Sequence, residues 1–375
     1  MMVPVWLVVV LSIIVAILLA VSISLGVNAY RRSKKMEQIN QREEDNKNYA
    51  FILNPSKPNA EKIRQRIYDF FTERGLEKPL IIDTKLDKDG AACAREALAA
   101  GIQAVIAVGG DGTVRTAASA MAGTDRIFGI IPIGTANLFA RNIGIPLGDI
   151  DAALQVAISR GARRVDVGRM ALLDSKDPEH RHCFLIIGGV GFDAQMIDAT
   201  DPQLKKNIGW FAYFLGGMKT LLNTKLKADI DIYSKNGTVT HLDDVALRSF
   251  LAGNCGEIPG LSLMPTAVYD DGLLDFAMLD TNGGIIGWAD LFRNVVQQTI
   301  TRKPARQGNL LSDDTSSQTS VPVASQVEQL QGTKAVINLR RPTLAQVDGD
   351  VLGRTQHAEI TVDQQALIVR VPVDS

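Results

Sequence analysis

The run AVIAVGGDGTVRTAASAM, at positions 104–121 of 375, sets three glycines and one aspartate directly after an apolar segment. Gly109, Gly110 and Gly112 allow the backbone to approach a bulky anion. Thr113 adds a hydroxyl, and the helix-favouring residues beyond it would present free N–H groups to phosphate oxygens. The pattern predicts a phosphate-binding loop. No Gly-Lys-Ser/Thr follows, so it is not a Walker A loop, and it lacks the GxGxxG dinucleotide fingerprint. Asp111 would repel phosphate unless it binds a magnesium ion or orients a group beside a transferred phosphoryl. A wholly structural alternative is that it caps the helix it precedes.

Two other stretches add to this one. PIGTANLFAR (132–141) repeats the strand, glycine, helix order and places Gly134, Thr135 and Asn137 where donors would face the same crevice. LNPSKP ends an earlier apolar run with Asn54, Pro55, Ser56, Lys57 and Pro58. Three strand ends with polar or glycine turns suit one nucleotide. The histidines at 180, 182, 241 and 357 have neither metal nor triad spacing, and Cys93, Cys183 and Cys255 show no CxxC pairing.

Short apolar runs alternate with helical periodicity across 49–150: YAFIL, a helix carrying Ile63, Ile67, Phe70 and Phe71, then PLIIDT, AVIAV and IFGIIPI, each followed by a helical stretch. Such alternation predicts a Rossmann-like α/β domain, with a parallel sheet whose ligands bind beyond the carboxyl ends of the strands. From 151 to 375 short strands and turns dominate, which predicts a β-rich, sandwich-like second domain whose last strands can return toward the first. Asn236-Gly237 in KADIDIYSKNGTVTH suits a tight hairpin. The Ser/Gln/Thr-rich stretch 305–332 reads as a flexible insertion, and 203–220 as an aromatic-rich helix.

The amino-terminal segment 3–27 contains no charged residue. At about 1.5 Å per residue it can cross a roughly 30 Å hydrocarbon core, which predicts a transmembrane anchor. Arg31, Arg32, Lys34 and Lys35 follow it in a polar tether, 28–48, and place the remaining chain on the cytoplasmic side. Forty Lys plus Arg against 41 Asp plus Glu leave a net charge of -1, so no global field holds nucleic acid.

In order, NPSKP (54–58), GGDGT (109–113), PIGTANLFAR (132–141), GVGFDA (189–194), KKNIGWFAYFLGG (205–217), GN (253–254), DDGLLD (270–275) and QVDGD (346–350) resemble the diacylglycerol kinase catalytic-domain superfamily. The likeness is to its bacterial lipid kinases in particular, with sphingosine and ceramide kinases as relatives. The resemblance implies an ATP site built from Asn54 to Lys57, Thr84, Gly110 to Thr113 and Thr135. It implies a magnesium loop in which the Asp271 side chain and the carbonyls of Val268 and Leu273 hold a largely structural Mg2+. It also places an acidic residue at Asp350 to take the proton from a lipid hydroxyl. The family has Glu there, so either the backbone compensates for the shorter Asp350 or Asp348 takes a larger share.

The expectation is an ATP- and magnesium-dependent kinase of diacylglycerol or a related lipid, working at the cytoplasmic membrane face. The GGDG element is shared with NAD kinases, so a phosphotransferase acting on a soluble nucleotide is the first alternative. A non-catalytic nucleotide-binding membrane protein is the second.

Overall fold

A computed structural model describes residues 48–191, 225–256, 264, 266–281 and 325–373. The expected anchor 3–27, nearly all of the tether, the aromatic-rich helix 203–220 and residues 305–324 lie outside the described residues. Among the described residues, no helix is long and apolar enough to cross a membrane.

The first part is the expected alternation: β1 (Tyr49–Leu53), α1 (Ala60–Glu73), β2 (Leu80–Asp83), α2 (Gly90–Ala99), β3 (Ala104–Gly109), α3 (Asp111–Met121), β4 (Ile127–Pro132), α4 (Leu138–Asn142) and α5 (Ile150–Ile158). The strands pair in parallel in the order β4-β3-β1-β2. All of β1 and β3 is buried, as a sheet covered on both faces requires. Helix α1 buries Ile63, Ile67, Phe70 and Phe71, the apolar stripe read from its spacing. Register aligns the strand ends, with Leu53 beside Val108 and Asp83, and Gly109 beside Pro132. The turns after all four strands therefore open on one edge.

The larger remainder is β-rich: β5 (Ala162–Leu172), β6 (His182–Phe184), β7 (Ile187–Val190), β8 (Leu226–Tyr233), β9 (Val239–Leu247), β10 (Ser249–Gly253), β11 (Leu274–Thr281), β12 (Ser325–Gly332), β13 (Lys334–Val347) and β14 (Asp350–Arg370). It has its own buried cluster, including Phe184, Phe250, Phe276, Ile230 and Ile337. The strands do not form two separately paired sheets. They make one branched ladder that continues into the parallel sheet, because β14 pairs with β13 and β5 and then, at Ile368 and Val369, runs parallel to β4. Irregularities between Asn338 and Thr343, and between Asp363 and Leu367, break the register of these long strands. Such bulges bend a strand enough for it to serve both regions.

Two local expectations change. The last residues of the supposed insertion form β12, antiparallel to β11 from Ser325–Thr281 to Gly332–Leu274. Ladder hydrogen bonds belong to the backbone, so a polar composition does not prevent them. The 234–238 connection is a hairpin but not a two-residue one. The Gly237 N–H donates to the Ser234 carbonyl at 3.0 Å and only Gly237, at φ 86°, is left-handed, giving a three-residue loop.

Candidate active site

The two glycine turns face each other at the strand edge. A Cβ on Gly134 would lie 2.6 Å from the Gly110 Cα, so any side chain at 134 would drive the turns apart. Gly109 is buried, where a Cβ would meet the Thr113 side chain at 2.5 Å. Between the turns and the tip of the β13–β14 hairpin is a cavity of about 490 Å³. Its lining brings together Asn54, Lys57, Thr84, Gly110, Asp111, Gly112, Thr113, Gly134, Thr135, Asp348 and Asp350, residues far apart in sequence. The cavity opens at the start of α3, whose N-cap is Gly110, a residue with no side chain to cap it. Its first N–H groups remain available to an anion.

The Asp111 carboxylate is turned mainly away from the helix it begins, reaching there only its own N–H, which alters the structural alternative drawn from its position. Its Oδ1 accepts instead from the Leu138 N–H at 2.6 Å, at the start of α4. Asp111 thus ties the first glycine turn to the second. Burial pushes its carboxyl above the usual carboxylate range, against the pull of the Leu138, Phe139 and Asn137 N–H groups.

Four other expected nucleotide residues, Pro55, Ser56, Gly109 and Asn137, do not line the cavity. Asn137 is buried and left-handed at φ 46°. Its Oδ1 accepts from the Gly134 N–H at 3.0 Å and its Nδ2 donates to the Gly134 carbonyl at 2.7 Å, so it closes its own turn instead of facing the crevice. Ser56 gives its N–H and hydroxyl to Asn54 Oδ1 at 3.0 and 2.7 Å. Neither it nor Pro55 is among the lining residues. Asn54 in turn reaches Thr113 Oγ1 at 3.4 Å. Lys57 Nζ would stand 3.7 Å from a Cβ on Gly110, and with Lys85 it supplies the cations of the lining.

At the opposite wall, Asp348 and Gly349 both have positive φ, 45° and 84°. They form the two-residue turn between β13 and β14, where Val347 pairs with Asp350. Asp-Gly is a strong hairpin signal in its own right, here embedded in a motif read for chemistry. The buried Asp348 carboxylate accepts from the Leu185, Ile186 and Ile187 N–H groups at 2.8, 3.0 and 2.9 Å. Burial pushes it up to about 6, with Arg115 and those three N–H groups pulling the other way.

Among the described residues four carboxylates line the cavity, and their partners distinguish them. Asp89 accepts from the Ala92 N–H at 2.8 Å, Asp111 from Leu138 and Asp348 from three N–H groups. Asp350 is exposed, bonds through Oδ2 to the Arg115 guanidinium, and lies 4.0 Å from a Cβ built on Gly112. Among the described residues no backbone N–H binds its side chain. The geometry therefore leaves Asp350 freest to meet a reacting group and makes Asp348 a brace for the turn.

Sequence reasoning missed Lys85, Asp89, Gly90, Thr116, Ala136 and Gly349 in the lining, and Arg115 beside it. Arg115 had a usable signal, since it follows Gly112 by three residues and so shares its helix face.

The expected metal loop does not border the cavity. Asp271 Oδ1 accepts from the Leu273 N–H at 2.9 Å. Gly272, at φ 78°, gives its N–H to the fully buried Asp166 at 2.7 Å. Burial and the neighbouring charges of Asp166 and Asp270 raise the Asp271 carboxyl. A partly desolvated carboxylate beside Asp166 and Asp270 suits a hard cation, while the Lys235 Nζ, which donates to the Asp271 carbonyl at 3.1 Å, already brings one positive charge to the loop. Among the described residues no group of three or more His, Cys, Asp or Glu side chains could hold a metal, so such an ion would depend on carbonyls such as those of Val268 and Leu273.

Glycine turns at the ends of parallel strands face an acidic hairpin across the cavity, an arrangement suited to phosphoryl transfer. The diacylglycerol kinase catalytic domain matches residues 48–170. A protein named probable lipid kinase YegS-like, from Xanthomonas oryzae pv. oryzae, is 32% identical over 246 residues, covering 63% of this chain and 74% of its own length. The protein of that name from Pseudomonas syringae pv. tomato is 36% identical over 198 residues, covering 51% of this chain and 59% of its own. An uncharacterized Synechocystis protein is 28% identical over 72% of this chain, which spans only 55% of that relative's length. A crystal structure of a diacylglycerol kinase from Bacillus anthracis str. Sterne shares the fold, with a TM-score of 0.63, 19% identity, and coverage of 87% of this chain and 97% of that one. The chain belongs to the diacylglycerol kinase catalytic-domain family, a family of kinases.

Proposed function

We propose that this kinase moves the γ-phosphoryl of ATP onto the hydroxyl of diacylglycerol or a related lipid, at the cytoplasmic face of a membrane to which residues 3–27 anchor it. The observation that carries this reading is the placement of Asp350, a half-exposed carboxylate directly across from Gly112 of the phosphate loop. The nucleotide phosphates lie along Gly110 to Thr113 and Gly134 to Thr135, neutralised by the α3 N-terminus and Lys57. Asp350 accepts the hydroxyl proton as the lipid oxygen bonds to phosphorus and the bond to the β-phosphate oxygen breaks, releasing ADP. Phosphoryl transfer asks mainly for positioning and charge neutralisation, and the converging turns supply both. Asp271, with the Val268 and Leu273 carbonyls, would hold a magnesium ion, whose charge would fix the loop.

The uncharged 3–27 segment supports the lipid acceptor, since a membrane-held kinase meets an insoluble substrate at high effective concentration. The experiment is incubation of the full chain with γ-labelled ATP and vesicles containing diacylglycerol, monoacylglycerol, phosphatidylglycerol or ceramide, beside soluble NAD. Label in a lipid is expected. Label in NAD alone, or in no acceptor, overturns the reading.

A further inference from the structure

Arg115 is the better buried member of its pair with Asp350. Its side chain is 13% exposed against 52% for Asp350. One guanidinium nitrogen binds Asp350 Oδ2, and another makes only a long 3.5 Å bond to the Cys183 carbonyl. The Nε is buried without a partner among the described residues. Asp348 is close enough to interact electrostatically, yet both of its oxygens are engaged by the N–H groups of Leu185, Ile186 and Ile187. Among the described residues the guanidinium therefore makes its one strong bond to Asp350.

The hairpin that carries Asp350 is itself braced. Gln346 Oε1 accepts from the Gly349 N–H at 2.8 Å, and Asp348 pins the turn to β7 and the residues just before it. What this bracing leaves undetermined is the rotamer of the half-exposed Asp350, which by itself could turn to solvent. Arg115 fixes it from the phosphate-loop helix, on the face that carries Gly112. A charge-assisted bond from a planar guanidinium restricts direction as well as distance.

We propose that Arg115 is the positioning residue for Asp350, holding the shorter acidic side chain over the phosphate loop so that it can take the acceptor proton. The inference rests on the kinase reading above. Arg115 acts through Asp350 rather than by contact with the nucleotide, and this separates it from a phosphate-binding arginine. It is also separable from a pair that only joins two elements, which would affect stability alone.

The test compares wild type, Arg115→Met, Arg115→Lys, Asp350→Glu and the double variant Arg115→Lys/Asp350→Glu, all as full chains. The probes are γ-labelled ATP and phosphatidylglycerol vesicles doped with diacylglycerol and monoacylglycerol. Arg115→Met is expected to lower kcat about 10²-fold, the scale of a general base lost or misplaced by about 1 Å, with KM for ATP within about twofold of wild type. In the double variant a shorter cation meets a longer acid, so it should recover at least about tenfold in kcat over Arg115→Lys alone. If Arg115→Met does not fold, the Lys variant and the double carry the comparison. A lowered melting temperature with unchanged kcat per folded molecule overturns the proposal, as does a raised KM for ATP at constant kcat, or no recovery in the double. If the wild type labels no lipid, the kinase reading fails and the inference falls with it, a result distinct from an active wild type that is indifferent to Arg115.

Discussion

Asp111 accepts the Leu138 N–H while also lining the cavity, so its replacement acts on two levels. Asp111→Ala leaves that N–H without its partner, at about 1–3 kcal/mol, and should lower both the melting temperature and nucleotide affinity. Asp111→Asn keeps an acceptor oxygen but not the charge. It should restore most of the melting temperature while turnover stays low, and normal turnover in Asp111→Asn would show that the carboxylate serves only the fold. Asp348 supports a prediction about pH. Burial raises its carboxyl from an ordinary value of 3.8 to about 6, so between those limits the folded chain holds the proton more tightly than the unfolded chain. Stability through this group falls as pH rises across that window, by on the order of 3 kcal/mol, and the full cost is present above about 6. Asp348→Asn cannot titrate and offers an NH2 to N–H donors, so it should be less stable throughout. Because the wild type alone regains stability on acidification, the gap in melting temperature between the two should widen from pH 7 to pH 4. A gap that narrows on acidification would contradict the assignment.

The glycine turns were legible at the level of elements because each has a steric requirement that the residue type reveals. Gly110 and Gly134 meet backbone to backbone, and a Cβ at 134 would lie 2.6 Å from the facing Cα. Gly134→Ala should therefore separate the turns and reduce ATP affinity about tenfold or more, read by calorimetry. Gly123→Ala is the control. Gly123 is left-handed at φ 82° with open space around it, so alanine there brings backbone strain of about 1 kcal/mol and no change in ATP binding. Equal affinity losses in the two variants would show that the effect is not specific to the approach of the two turns. The helices were legible too, from stripes such as Ile63, Ile67 and Phe70. The sequence did not disclose the register of distant strands. Nothing local in SQVEQLQG announces its pairing with β11, and the Asp348-Gly349 turn was hidden because its residues also suited an acidic motif. Asn137 was misread for the same reason, since an amide that closes its own loop and one that faces a ligand look alike in sequence.

At the scale of the molecule, β14 joins the two regions: it pairs with β13 and β5 in the β-rich part and with β4 in the parallel sheet. Each core thus depends on the same strand, and the described fold begins at β1, whose five residues are all buried. Deleting residues 1–28 leaves β1 and the polar residues before it in place. The truncated chain should unfold in one cooperative transition and bind ATP with unchanged affinity. Under the proposed function its turnover should divide by substrate presentation. With diacylglycerol dispersed in detergent micelles the rate should match the full chain. With diacylglycerol in vesicles it should fall roughly 10²-fold, because the local concentration that a membrane anchor provides is lost while every contact in the site is kept. Sedimentation with the vesicles provides the companion measurement, with the full chain pelleting and the truncated chain remaining in the supernatant. If the truncated chain fails to fold, residues 1–28 belong to the core and are not an anchor. If it folds and phosphorylates vesicle lipid as fast as the full chain, membrane attachment does not deliver the substrate, and the segment serves only location.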